Sequence, residues 1–225
     1  MSLVQTIITD DYAMLCSDTK AYTLEGTHVD NSTKVVKISD TVMFGCTGKV
    51  SDNYELFGEY CECDGIRYTP KHFESPISYD EVMNHLLMKY ENMQDKFDAG
   101  TPYEVCSVVC GYNEFVDDFE ISIFSLHTDS RIRNGVNTFR KLKQYPYRIA
   151  TCGNLNHGVK LDNMAEDAYT DSDQPLTILQ WKNMFKDVLR SGVSFDSSIN
   201  DKAKFVVIRK TKIDNGELIF KCRMS

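Results

Sequence analysis

The stretch Val4-Gln5-Thr6-Ile7-Ile8, Thr9-Asp10-Asp11, Tyr12-Ala13-Met14-Leu15-Cys16 runs apolar and β-branched, then polar, then apolar again. That is the pattern of two short strands closed by a tight turn. The same pattern returns at once: Lys34 to Ile38 and Thr41 to Cys46 read as a second pair of strands around Ser39-Asp40. Four strands before any helix place a sheet at the start of the chain.

Outward from there, Ser51 to Cys61 and Asp80 to Phe97 carry apolar residues at helical spacing, with Ser51 as one cap and Ser78 or Asp80 as the other. On the second helix Val82, Leu86, Leu87, Tyr90 and Met93 recur along one face. Between them, Asp64 to Tyr79 holds Pro70 and Pro76 and reads as a loop. Strands are predicted over Val105 to Tyr112 and Phe119 to His127, and a further pair over Asn137 to Leu142 and Tyr147 to Cys152. Helices are predicted over Gly158 to Tyr169 and Thr177 to Ser191. Phe205 to Lys210 and Leu218 to Arg223 close the chain as a hairpin around Asn215-Gly216. The expected fold class is α+β, a four-layer α/β/β/α sandwich of two antiparallel sheets with a helical layer outside each.

Bulk properties narrow the function. With 225 residues the chain can bury roughly 70% of its unfolded surface, enough for one core, and no repeat or linker divides it. A single domain over 1–225 is expected. The charge of -8, from 33 acidic and 25 basic residues, argues against nucleic acid, since no lysine- or arginine-rich face offers itself. No stretch is long and apolar enough for a membrane span, so no membrane partner is expected. The eight cysteines lie mostly in apolar, strand-like runs, and no signal peptide is evident. Reduced thiols and a cytoplasmic setting are expected. Cys61-x-Cys63 has no second pair at zinc spacing, and the five histidines show neither metal spacing nor a Ser-His-Asp pattern. No cofactor and no metal are expected.

Three blocks carry a resemblance: Leu15-Cys16-Ser17-Asp18-Thr19-Lys20, Thr33-Lys34-Val35-Val36-Lys37-Ile38 and Phe44-Gly45-Cys46-Thr47-Gly48. Their content and ungapped intervals resemble those of proteasome-type N-terminal-nucleophile hydrolases. A fourth block, Phe195-Asp196-Ser197-Ser198 ahead of Phe205-Val206-Val207-Ile208, is similar to the segment after that family's last helix. Cys152-Gly153-Asn154 departs from the family, which has a serine-glycine there, and Lys20 stands in place of an arginine.

The resemblance implies a serine- or threonine-type peptidase or amidohydrolase. Ser2 falls at the nucleophile position. Lys34 is the electrostatic activator, Asp18 and Asp196 are supports, and Gly48 is the oxyanion donor. The chemistry is coherent: once Met1 is removed, the α-amine of residue 2, with a reference pKa of about 8, serves as general base. A lysine ammonium lowers the proton affinity of the hydroxyl, and an aspartate keeps that lysine in place. The same Met1-Ser2-Leu3 is also a common vector-derived start, in which case the natural chain begins at Val4 without a nucleophile. The alternative reading is a catalytically silent subunit acting as a scaffold or ring component; a small-molecule amidase related to penicillin or bile-salt acylases ranks third. By resemblance, the partners are a peptide or amide substrate and further copies of the chain in a homo-oligomer, with a ring possible.

Overall fold

A computed structural model of the protein describes residues 3–23, 25–129, 132–153, 155–172, 174–212 and 217–225. The chain opens with β1 (Val4–Ile8), β2 (Tyr12–Asp18), β3 (Ala21–Tyr22), β4 (His28–Val29), β5 (Val35–Lys37) and β6 (Val42–Gly48). It continues through α1 (Val50–Phe57), β7 (Cys61–Asp64), β8 (Arg67–Pro70), α2 (Tyr79–Asp98), β9 (Glu104–Asn113) and β10 (Asp118–His127). It ends with β11 (Gly135–Arg140), β12 (Arg148–Cys152), α3 (Leu155–Ser172), α4 (Ile178–Gly192), β13 (Ala203–Lys212) and β14 (Leu218–Met224).

The opening stretch forms the expected hairpin. Val4 lies opposite Ser17 and Ile8 opposite Ala13. Thr9 ties the turn, its hydroxyl donating to the Tyr12 carbonyl at 3.0 Å and accepting from the Tyr12 amide at 3.1 Å. β1 and β2 belong to a five-stranded sheet of order β12-β1-β2-β13-β14, whereas β5 and β6 join another of order β11-β10-β9-β6-β5. Every pairing within these sheets is antiparallel.

The four-layer sandwich expected from the order of elements is overturned. Among the described residues the fold is β-rich, 39% strand against 28% helix, with four helices and four separate sheets, so a plain sandwich of two sheets does not describe it. Two of those sheets are short hairpins, β3–β4 and β7–β8, in segments that the sequence does not mark as strands. The β7–β8 hairpin replaces part of the loop expected over Asp64 to Tyr79. Gly65 turns it with a φ of +62°, and Pro70 sits at the strand's end, where its missing N–H does not interrupt the ladder.

The strand pair expected from Asn137 to Cys152 is also corrected. β11 pairs with β10 in one sheet and β12 with β1 in the other. β12 faces apolar neighbours on both sides: Ala150 and Cys152 look into the core shared by the two large sheets, and Ile149 into the core beneath α3 and α4. A two-stranded hairpin with β11 would leave one of those faces wet.

Among the described residues three cores hold the chain. Val4, Leu15, Val35, Met43, Val108 and Ile121 meet between the large sheets. Phe44, Phe57, Leu86, Val109 and Phe124 bury α1 and α2 against one sheet. Leu3, Ile7, Met14, Leu161, Trp181 and Phe185 bury α3 and α4 against the other. Each fully buried large side chain contributes about 2–3 kcal/mol. α2 and α4 begin with capping boxes, Ser78 with Glu81 and Thr177 with Gln180. α1 begins one residue earlier than expected, with Lys49 at its cap position, and the Ser51 hydroxyl turns to the Asp52 carboxylate at 2.8 Å. Leu87, expected on the buried face of α2, lies at the surface.

Arg209 lies directly opposite Lys221 and Val207 opposite Arg223, so the three cations project on one side of β13 and β14. Lys182 of α4 reaches toward them, donating to the Ser225 hydroxyl at 2.6 Å, and Lys182 and Lys186 both lie over the Phe205 ring. Burial, followed by the neighbouring charges of Lys186 and Arg209, pushes the Lys182 ammonium below its ordinary pKa.

Candidate functional site

The ends of β2, β5 and β6 converge on Asp18 and Lys34. Asp18 is fully buried and Lys34 is 5% exposed. The Lys34 ammonium donates to Asp18 Oδ1 at 2.7 Å, and the Leu3 amide donates to the same oxygen at 2.9 Å. Asp18 Oδ2 accepts from the Lys20 amide at 2.9 Å. Three donors thus satisfy a carboxylate that would otherwise be costly to bury. Burial pulls the Lys34 pKa below the ordinary lysine value, opposed by the charge and hydrogen bond of Asp18. An ammonium held this way is a positive charge in a poorly screened place.

Gly48 ends β6 with a φ of +90°, and a Cβ added there would lie 2.2 Å from the Glu104 carbonyl oxygen. Only glycine fits. A cavity of about 30 Å³ is lined by Lys34, Thr47 and Gly48 together with Ala21, Ile66 and Tyr68. Asp18, Lys34 and Gly48 are therefore gathered by the fold. Ser2, the expected nucleophile, lies outside the described residues; Leu3, next along the chain, is tied to Asp18.

Asp196 lies in the segment after α4. Lys20 and Tyr22 donate to the Ser197 carbonyl at 2.6 and 3.1 Å, and the Thr19 amide donates to the Asn200 side chain at 3.1 Å. These bonds stitch the segment to the chain that follows Asp18. The Asp196 carboxylate itself takes a partner that the sequence does not point to. His157 Nε2 lies 3.2 Å from Oδ2, while Ser198 donates its amide at 3.0 Å and its hydroxyl to Oδ1. His157 is fully buried, stacks on Phe195, and leaves no room for a Cβ at Gly192.

An ionised carboxylate only accepts, so in neutral His157 the proton sits on Nε2. The order serine–aspartate–histidine, with the carboxylate in the middle, is not a nucleophilic relay, because the Ser198 hydroxyl faces the aspartate rather than a base. His157 was legible only as a lone histidine at the start of a helix; its partner lies 39 residues away.

Among the described residues no group of three or more His, Cys, Asp or Glu side chains is placed to hold a metal ion, and no helix is long and apolar enough to cross a membrane. The eight cysteines are free thiols. Comparison of the chain with models of known protein families and with characterised proteins finds no match.

Proposed function

We propose that the protein is a hydrolase of peptide or amide bonds that uses its N-terminal residue as nucleophile, as the resemblance to proteasome-type enzymes implies. The observation that carries this reading is the buried Lys34–Asp18 pair, with the amide of Leu3 on the same carboxylate oxygen. In this reading Met1 is removed and the α-amine of Ser2 takes the hydroxyl proton. The Ser2 oxygen attacks the carbonyl while Lys34 favours the developing alkoxide, and a backbone N–H at Gly48 receives the oxyanion. The amine then protonates the leaving group, and water releases the acyl product. The small cavity beside Lys34 and Gly48 favours a small side chain next to the cleaved bond. Copies of the chain assemble as a homo-oligomer, and the free thiols suit a reducing, cytoplasmic setting.

A catalytically silent scaffold or ring component is the second reading. It is favoured by the engagement of Asp196 with His157 and Ser198. The deciding experiment is the intact mass and N-terminal sequence of protein made from its natural start codon, together with turnover of fluorogenic amides. A free Ser2 and hydrolysis of an alanyl amide in preference to a phenylalanyl one are expected, with Lys34→Ala abolishing turnover. Retained Met1, a mature chain beginning at Val4, or turnover unchanged in Lys34→Ala would overturn the hydrolase reading.

A further inference from the structure

Strand register gathers cations at the β14 edge of its sheet. Phe205 and Val207 pack into the core under α3 and α4, so Arg209, two residues further on, points to that same side. Lys221 lies opposite Arg209 and Arg223 opposite Val207, so both share that side. Lys182 and Lys186 of α4 join them, 5.0 and 5.9 Å from the centre of the Phe205 ring. Arg209, Lys221 and Arg223 are exposed, and the two lysines of α4 are half-buried. Among the described residues none of these cations forms an ion pair; Asp187, next to Lys186 in the chain, is taken by Arg190. Like charges directly opposite one another repel. A chain of net charge -8 thus keeps a repulsion that an acidic partner would relieve.

The strand that carries Lys221 and Arg223 is also open to pairing. β14 ends its sheet, with β13 beside it and no strand beyond among the described residues. The Ser225 amide donates to the Phe205 carbonyl at 2.9 Å, and the Phe205 amide donates to the Ser225 carbonyl at 2.8 Å. Ser225, Arg223 and Lys221 therefore turn their main-chain groups to β13, and Phe220, Cys222 and Met224 turn theirs outward. At Cys222 a side chain stands in for a neighbouring strand: its amide donates to Asp40 Oδ1 at 3.3 Å, a long bond.

We propose that this edge is a docking site for an acidic segment of a partner protein, added to β14 as an antiparallel strand with carboxylates at alternate positions. Antiparallel addition continues the pairing of the whole sheet. Residues i and i+2 of an extended strand stand about 6.6 Å apart on one face. Carboxylates at that spacing meet Lys221 and Arg223 in turn, while main-chain bonds form to the outward groups of Phe220 and Met224 and take over the Asp40 bond at Cys222. Arg209 also lines a cavity of about 290 Å³, shared with Lys210, Tyr12 and a single acid, Asp11, where a side chain of the segment can enter. Nucleic acid fits this edge less well. It brings no main-chain amides to pair with β14, and the net charge of -8 repels a polyanion.

The test titrates the full chain into a fluorescein-labelled peptide of alternating glutamate and threonine and follows anisotropy. Saturable binding is expected, at least about tenfold tighter than that of a lysine–threonine peptide and weaker as salt is raised. Lys221→Glu with Arg223→Glu should weaken it about tenfold or more; Lys221→Gln with Arg223→Gln serves if the charge-reversed protein does not fold. In the antiparallel register the threonine amides face β14 and the glutamate amides face away. N-methylation of the threonines should therefore abolish binding, and N-methylation of the glutamates should leave it. Absence of binding would overturn the proposal, as would equal binding of a peptide with its glutamates and threonines in separate blocks. Tighter binding of a single-stranded oligonucleotide, lost in the same variants, would assign the cations to nucleic acid instead. An oligomer of the chain that dissociates in those variants would assign the edge to a second copy, and either result sinks the acidic segment. The readout needs no hydrolytic turnover, so it stands or falls separately from the proposed activity.

Discussion

Lys34 carries its charge in a place nearly closed to water, so the cost of keeping it depends on Asp18. Replacing it with methionine leaves the buried carboxylate with two amide donors and no counter-charge. Lys34→Met should therefore lose about 3 kcal/mol in urea denaturation, and Lys34→Met with Asp18→Asn should recover part of that loss. pH dependence supplies an independent check. Because folding lowers the lysine's pKa, the unfolded chain holds that proton more tightly, and wild-type stability gains with rising pH between the folded value and the unfolded one. Lys34→Met should lack that rise; matched slopes would show that the lysine's environment is misassigned. At Gly48 the left-handed backbone and the close Glu104 carbonyl act together, and Gly48→Ala should cost at least about 2 kcal/mol.

At the scale of elements, the edge strand β14 sets Lys221 directly across from Arg209. Like charges in that position repel, so Lys221→Glu should raise the urea midpoint, with a gain of about 0.5 kcal/mol that shrinks in high salt. A gain unaffected by salt would mean that the charges are not the cause. Of the caps read from the sequence, Ser78 starts α2 and closes a box with Glu81, whereas Ser51 does not cap α1; the Thr177–Gln180 box that starts α4 came from the structure. The two small hairpins were not legible. β3 and β4 are two residues each, too short to show a period, and β7–β8 hides behind the prolines that mark its neighbourhood as a loop. Of the candidate site, Asp18, Lys34 and Gly48 could be singled out because the blocks that hold them resemble a known family; the contact of His157 with Asp196 could not, because it depends on a partner brought from a distant element.

For the whole molecule, the shared core between the two large sheets predicts one cooperative unit. Trp181 reports on the core under α3 and α4, while Cys46 and Cys61 lie in the core under α1 and α2. Unfolding in urea followed by Trp181 fluorescence and by thiol labelling of Cys46 and Cys61 should give coincident transitions. Two separated transitions would divide the chain into independent units and remove the single domain from the account.

The opening stretch by itself determined its own hairpin, since the two apolar, β-branched runs and the Thr9-Asp10-Asp11 turn between them are local signals that need no distant partner. Asp18, Lys34 and Gly48 were singled out by a resemblance carried by blocks beyond that stretch, and the structure sets Lys34 against the buried Asp18 carboxylate. Only the tertiary structure decided that β1–β2 and β5–β6 enter different sheets and that β11 and β12 part company. It alone set His157 against Asp196. Those outcomes depend on which faces are left to bury once all the strands are present, and that is a property of the assembled core rather than of any segment.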